Sequence, residues 1–310
     1  MSNYEYQHVF TDEYNKYFRK AHELLLEIAV QFNKPVNALR YKDIISFFQA
    51  NFNLHFTFFE ADPVEIYGDE GWGKSNPDSS WIKYKDTVTN ADFCFLESEI
   101  VDRISGITIP DGRRTLIMIN QDRVYSRIIF TILHELSHFY FHIRDKSKQQ
   151  AFVSLTSEKV EGHYSEEIIP FENEANIIAS ILFCSTERLE YMLAKKYSFK
   201  DLCRSVEMSE PAMHNRLLNY FEHVLRFPSP LALRYVWRFR DNDPQTRNLI
   251  RYKVNTLVDR KAAAEERRIL IQCQAAYVDK LKESEFWGEI VSNMGIEEEL
   301  HEFYEGDYYN

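Results

Sequence analysis

Cysteine, glycine and proline are scarce in this sequence, and no long apolar stretch occurs in it. The four cysteines lie far apart and form no CxxC pair, so the sequence indicates neither a disulfide framework nor a cysteine-based zinc site. Nine glycines and nine prolines in 310 residues favour long regular elements over flexible linkers. Each apolar stretch is interrupted by Glu or His well short of the ~20 residues that span a bilayer, so we expect no membrane partner.

The chain also shows no export signal and no excess of positive charge. No cationic segment followed by an apolar run is found near the N-terminus, so we expect a soluble, cytoplasmic protein with reduced cysteines. A net charge of −11 argues against a general nucleic-acid coat protein, although a local basic patch is compatible with it. Hydrophobic residues make up 45% and charged residues 27% of the chain, as in ordinary globular proteins.

The order of the hydrophobic patterns predicts helices, then strands, then helices again. Apolar residues at helical spacing predict helices over 12–33 and 41–52. Asp111-Gly112 predicts a hairpin turn, and from residue 123 to about 300 nearly every pattern is helical. Four β-like segments lie between these helical regions, at 54–61, 91–98, 104–109 and 115–120.

The residues with the clearest chemistry lie in an apolar helical segment, RIIFTILHELSHFYFHI (127–143). His134 and His138 lie four positions apart, on one face of the helix about 6 Å from each other, so both imidazoles can reach one cation. Glu135, one step round the helix, is placed to take a proton from the attacking water instead of binding the metal. Burying these groups in so apolar a helix without a metal or a partner would be costly. We therefore predict a metal site, with satisfied core histidines as the alternative.

Candidates for a third ligand lie on the next predicted helix, PFENEANIIASILF (170–183). Glu172 shares a face with the small and apolar residues of that helix and is the favoured ligand, with Glu174 as the alternative. His142 lies ~12 Å along the helix axis from His134, so we expect it outside the metal shell. A His–His–carboxylate site that leaves a position open is typical of catalytic zinc.

Together, FTILHELSHFYFH and ENEANIIASILF resemble the two-helix signature of the ImmA/IrrE family of metallopeptidases, and the resemblance covers about residues 35–220. It implies one Zn²⁺ per chain, with His134, His138 and a glutamate of ENEAN as ligands and Glu135 as the general base. It also implies a protein substrate, namely a transcriptional repressor of a mobile element or of a stress response.

We expect an α+β fold, a zincin-like catalytic domain with a small, mostly antiparallel sheet packed on the HExxH helix and an all-helical C-terminal region after it. The length suggests two domains at roughly 150 residues each. The predicted domains are a metallopeptidase domain at 1–195 and a helical region at 196–310 that docks the substrate or a partner.

The predicted function is that of a zinc-dependent endopeptidase that hydrolyses a peptide bond in a specific regulatory protein. The group that stabilises the oxyanion is left open, with Tyr140 and His163 as nearby candidates. One alternative is a non-proteolytic, repressor-binding regulator with a structural zinc.

A second alternative is a helix-turn-helix DNA-binding protein. It would act through 202–221, where Arg216 is expected on the exposed face of the second helix, or through the basic stretch 226–268. That stretch has 11 Lys or Arg against 5 Asp or Glu, whereas the segment 292–310 has 6 acidic residues and no Lys or Arg. Solvated helix faces and an acidic tail are the simpler interpretation of these two charge features.

Overall fold

The computed structural model describes residues 9–62, 82–83, 85–111, 113–144, 152–155 and 167–282. The chain divides into two compact units, Met1–Val254 and Asn255–Asn310. The predicted boundary after residue 195 is a different one, since it separates the peptidase domain from the helical region that follows it. That boundary stays a prediction. Within the described ranges, no helix combines the length and the apolar character that crossing a membrane requires.

The described residues form an α+β fold in which helices precede, cover and follow one sheet. Short turns of another helical type occur at Val36–Ala38 (3-10 helix), Phe139–Ile143 and Tyr220–Val224 (both π-helix). In chain order, the elements are α1 (Thr11–Phe32), α2 (Tyr41–Asn51), β1 (Leu54–Ala61), β2 (Asp92–Leu96), α3 (Ser98–Arg103), β3 (Ile104–Pro110), β4 (Thr115–Asn120), α4 (Tyr125–His138), β5 (Phe152–Leu155), α5 (Ile169–Phe183), α6 (Thr186–Ala194), α7 (Phe199–Val206), α8 (Glu210–Asn219), α9 (Ser229–Arg240) and α10 (Pro244–Lys282).

Local sequence signals set several helix ends. Asn33 adopts the left-handed conformation (φ 50°) that commonly ends a helix, here α1. Ser198 accepts a hydrogen bond from the Asp201 backbone amide, and the Asp201 carboxylate accepts one from the Ser198 amide, which is a capping box for α7. The residues that form such a signal lie close together in the sequence, so helices can be predicted from the sequence. The predicted helices at 12–33 and 41–52 are confirmed.

The sheet has the strand order β2-β1-β4-β3-β5 and is mixed, so the expectation of a mostly antiparallel sheet was wrong. β1 pairs in parallel with both β2 and β4, whereas β3 pairs antiparallel with β4 and β5. Parallel neighbours need a long crossover connection, and residues 62–91 between β1 and β2 and residues 62–114 between β1 and β4 provide the chain length for it. Strand patterns show which residues face the core, but they do not show strand direction.

The predicted hairpin joins β3 to β4, and the amide of Asp111 donates to the carbonyl of Arg114 at 2.8 Å in its turn. The four predicted β segments are confirmed. Strand β5 was missed, because the region after residue 123 was expected to be helical. The four residues of β5 (Phe152–Leu155) are too few to show a periodicity, and pairing with the edge of β3 makes them a strand.

Helix α4 lies in the core of the first unit. It packs against β3 and β4 on one side and against α5 on the other, and α5 also packs against α1. The residues of α4 that face these neighbours are fully buried, namely Ile128, Ile129, Ile132, Leu133 and Leu136. A helix enclosed in this way holds its polar side chains in fixed positions.

The helical C-terminal region is confirmed up to residue 282. In the second unit, the described part is the continuation of α10 from Asn255 to Lys282, and its described side chains are mostly exposed. The acidic segment 292–310 lies outside the described residues.

Candidate metal and catalytic site

The HExxH residues lie at the end of α4 and are buried. His134 is 4% exposed, and Glu135 and His138 are both 0% exposed. His134 Nε2 and His138 Nε2 lie 2.9 Å apart, because one turn of the helix places the two rings on the same face. Helix α4 therefore presents two ring nitrogens to one point, as the sequence predicted.

Helix α5 brings Glu172 to this point. Glu172 Oε2 lies 3.3 Å from His134 Nε2, and Glu172 Oε1 lies 3.3 Å from His138 Nε2. One donor atom from each of the three residues lies within 4.8 Å of the other two. In the described part of the chain, Glu172 Oε1 is buried and has no hydrogen-bond partner. Two imidazole nitrogens and an unsatisfied carboxylate oxygen that converge in this way fit a cation such as Zn²⁺.

The protonation states of two of these groups suit metal binding. Burial lowers the pKa of His138 to about 3, so this imidazole is neutral at pH 7. Burial alone would raise the pKa of Glu172, but the two imidazoles beside it outweigh that effect and lower it to about 2. Burial would likewise lower the pKa of His134, but the Glu172 carboxylate outweighs it and raises the pKa. Glu172 is thus ionised and His138 neutral, as ligands must be.

Glu135 lies against strand β3. The hydroxyl of Thr108 donates to Glu135 Oε2 at 2.5 Å, and both residues are fully buried. A Cβ atom at Gly106 would lie 2.6 Å from Glu135 Oε1 and 2.7 Å from Thr131 Cγ2. The carboxylate therefore occupies space that only a glycine leaves free.

Sequence reasoning missed both residues of β3. The available signal was the isolated glycine within the strand pattern ISGITI, because such a glycine often marks a close approach by another group. The pattern did not show which side chain approaches, since Glu135 is distant in sequence.

Replacing Gly106 by alanine is expected to lower the free energy of unfolding by about 1–3 kcal/mol, because overpacking a core costs about that much. The new methyl group would collide with two buried side chains, those of Glu135 and Thr131. Urea denaturation of the metal-free protein measures the change. Ser105→Ala, which adds no atom to the neighbouring position, is the control. An unchanged midpoint for Gly106→Ala would show that Glu135 does not lie against β3.

The match to a protein family covers both helices of this site. Residues 100–218 match a model of a peptidase family that is described as the IrrE N-terminal-like domain. This part of the chain is similar to the IrrE N-terminal-like domain. The resemblance to ImmA/IrrE metallopeptidases is confirmed over this range, which includes His134, Glu135, His138 and Glu172. No curated protein matches the chain.

The IrrE N-terminal-like domain belongs to a metal-dependent peptidase family, and the matched range of this chain holds a possible His–His–Glu metal site. The matched range starts in α3, ends in α8, and continues past residue 195. It therefore includes α6 and α7 as well as the sheet strands that support α4.

The other candidate residues lie elsewhere. The Glu174 carboxylate accepts a hydrogen bond from Lys20 and lies 3.8 Å from His142 Nε2, so the structure brings it to His142 and not to the first two histidines. The hydroxyl of Tyr140 donates to Glu27 on α1 at 2.9 Å. His163, the other oxyanion candidate, lies outside the described residues.

The expectation that Arg216 is exposed was wrong. This arginine is 0% exposed, and it donates to the carbonyl of Cys184 at 3.0 Å and to the hydroxyl of Thr186 at 2.8 Å. Through this side chain, helix α8 is held against the end of α5 and the start of α6, so Arg216 has a structural role. Arg216 is therefore not available to contact DNA, and the interpretation of 202–221 as a DNA-binding helix-turn-helix has less support.

Proposed function

We propose that the protein is a zinc-dependent endopeptidase that hydrolyses a peptide bond in a specific regulatory protein. The observation that carries the proposal is the convergence of His134, His138 and Glu172 in a domain of a peptidase family, with Glu135 next to them in the chain. A structural zinc needs four protein ligands, whereas the group found among the described residues has three. This count supports a catalytic site over a zinc that only stabilises a regulator.

His134, His138 and Glu172 would hold the metal ion, one per chain. Nitrogen and carboxylate ligands are the set that catalytic zinc sites use, and their geometry leaves one position for substrate or water. When bound, Zn²⁺ supplies Lewis acidity, which polarises the peptide carbonyl and lowers the pKa of water towards ~7.

Glu135 is proposed as the general base and then the general acid. Its carboxylate takes a proton from the attacking water and returns it to the nitrogen of the leaving amine. The Thr108 hydroxyl holds Oε2, and the strand at Gly106 restrains Oε1, so the carboxylate is oriented before the substrate binds.

The substrate is proposed to be a transcriptional repressor of a mobile element or of a stress response, and the reaction is proposed to take place in the cytoplasm. These proposals rest on the resemblance to ImmA/IrrE metallopeptidases. The helices that follow α5 would dock the repressor, since the catalytic helix itself is enclosed by the sheet and by α5.

Treatment with a metal chelator is expected to stop cleavage, and added Zn²⁺ is expected to restore it. The substrate would be a panel of repressors from the genome that encodes this protein, and fragments would be identified by mass spectrometry. Zinc-loaded Glu135→Gln protein is the control for a contaminating protease. Cleavage that persists in the stripped protein, or none by the zinc-loaded protein on any repressor, would contradict the proposed function.

A further inference from the structure

A row of buried polar groups continues from His138 away from the proposed metal position. His142 follows His138 by one turn, in the π-helical turn Phe139–Ile143, and Glu174 of α5 lies beyond it. Lys20 of α1 ends the row at Glu174. Three segments that are distant in sequence thus contribute to one arrangement, which we call the histidine–carboxylate row (His142, Glu174 and Lys20).

The distances define the order of the contacts. His138 Nδ1 and His142 Nδ1 lie 2.9 Å apart, which is a hydrogen-bond distance. His142 Nε2 lies 3.8 Å from Glu174 Oε1, and Lys20 Nζ donates to the same oxygen. His142 is 4% exposed and Glu174 is 7% exposed, so these contacts are shielded from solvent.

The direction of the hydrogen bond follows from which nitrogen of His138 faces the metal position. Nε2 of His138 faces His134 and Glu172, so it must be unprotonated to bind a cation. A neutral imidazole then carries its proton on Nδ1, and this Nδ1–H donates to His142 Nδ1. His142 must consequently carry its own proton on Nε2, the nitrogen that faces the Glu174 carboxylate.

The charges along the row agree with this order. The Glu174 carboxylate pairs with the Lys20 ammonium group and lies opposite His142 Nε2. An anion opposite His142 Nε2 favours the tautomer with the proton at that nitrogen. The ring of His142 also packs edge-on against Phe171, with 5.1 Å between ring centroids, which restricts its rotation.

We propose that His142 and Glu174 are positioning residues that fix the tautomer and the ring orientation of His138, with Lys20 anchoring Glu174. The proposal rests on the proposed metal site and gives a role to the glutamate that is not a ligand. Partners behind a metal-binding histidine typically change metal affinity or activity by about 10- to 100-fold when they are removed.

The affinity of the metal-free protein for Zn²⁺ tests the proposal, measured by competition with a chromophoric chelator. Glu174→Gln and His142→Leu are each expected to weaken binding by about 10- to 100-fold. The visible spectrum of the Co²⁺-loaded protein is expected to change with them, because it reports ligand geometry. Lys20→Gln changes a partly exposed side chain of the histidine–carboxylate row. This variant is expected to lose affinity for Zn²⁺ as well, but less than the other two.

Glu190→Gln is the matched control, since Glu190 is also buried but pairs with Tyr220. Its affinity for Zn²⁺ and its cobalt spectrum are expected to equal those of the wild type. Wild-type affinity and an unchanged cobalt spectrum in all three row variants would overturn the positioning role and leave the metal site intact. A wild-type protein that binds no zinc would overturn the metal site and the positioning role together.

Discussion

Replacing Glu135 by glutamine is expected to slow peptide hydrolysis by about a hundred- to ten-thousandfold, because a positioned general base contributes that much to a proton transfer. Glutamine has the same shape, and its amide oxygen can still accept the hydrogen bond from Thr108. The amide cannot take up a proton at neutral pH. Zinc content and thermal stability are therefore expected to remain close to those of the wild type.

The measurement is the single-turnover rate of the zinc-loaded protein on the repressor fragment that the wild type cuts. Glu190→Gln, which changes a buried glutamate far from the site in sequence, is the control for the loss of a buried negative charge. A Glu135→Gln rate within a factor of about three of the wild type would exclude Glu135 as the base. Loss of zinc in this variant would instead make Glu135 a ligand.

Replacing Glu172 by glutamine is expected to weaken zinc binding by about a hundred- to a thousandfold. Structural zinc sites bind with roughly 10–16 kcal/mol at pH 7, so each of four ligands accounts for about 2.5–4 kcal/mol, and each 1.4 kcal/mol is a factor of about ten. Glutamine also leaves the two imidazoles without their negative partner, because both lie 3.3 Å from a Glu172 oxygen.

Chelator competition and the zinc content measured by mass spectrometry test this expectation. His134→Ala is expected to show a loss of the same order, whereas Glu174→Gln is expected to lose less, because it acts only through His142. If Glu174→Gln lost its zinc and Glu172→Gln retained it, Glu174 would be the third ligand. The arrangement of α5 against α4 would then differ from the one described.

Several features could be predicted because they depend on residues close in sequence. The spacing of apolar residues predicted β1 and β4 at their observed bounds and α1 and α2 to within a residue. The pair His134 and His138 could be predicted to face one point, since helix geometry alone sets their separation. The family match covers residues 100–218, a range that includes this pair.

The direction of the strands depended on contacts that no local pattern specifies. β1 is flanked by two parallel neighbours, although the sequence shows only the alternation that any half-buried strand has. Strand β5 exists because β3 offers a free edge, which is a property of the folded sheet. Arg216 is buried for a related reason, since its partners Cys184 and Thr186 lie 30 or more residues earlier in the chain.

The sequence by itself supplied the candidates for binding a metal and for activating water: two histidines one helical turn apart, an adjacent glutamate and two further glutamates on the next helix. Tertiary structure alone decided which of Glu172 and Glu174 lies beside the histidine pair. Both are buried on α5, but they point about 200° apart around the helix, and the packing of α5 between α4 and α1 turns one to the histidine pair and the other to His142 and Lys20. It also placed Glu135 against Gly106 and Thr108, because only the folded sheet brings β3 under α4.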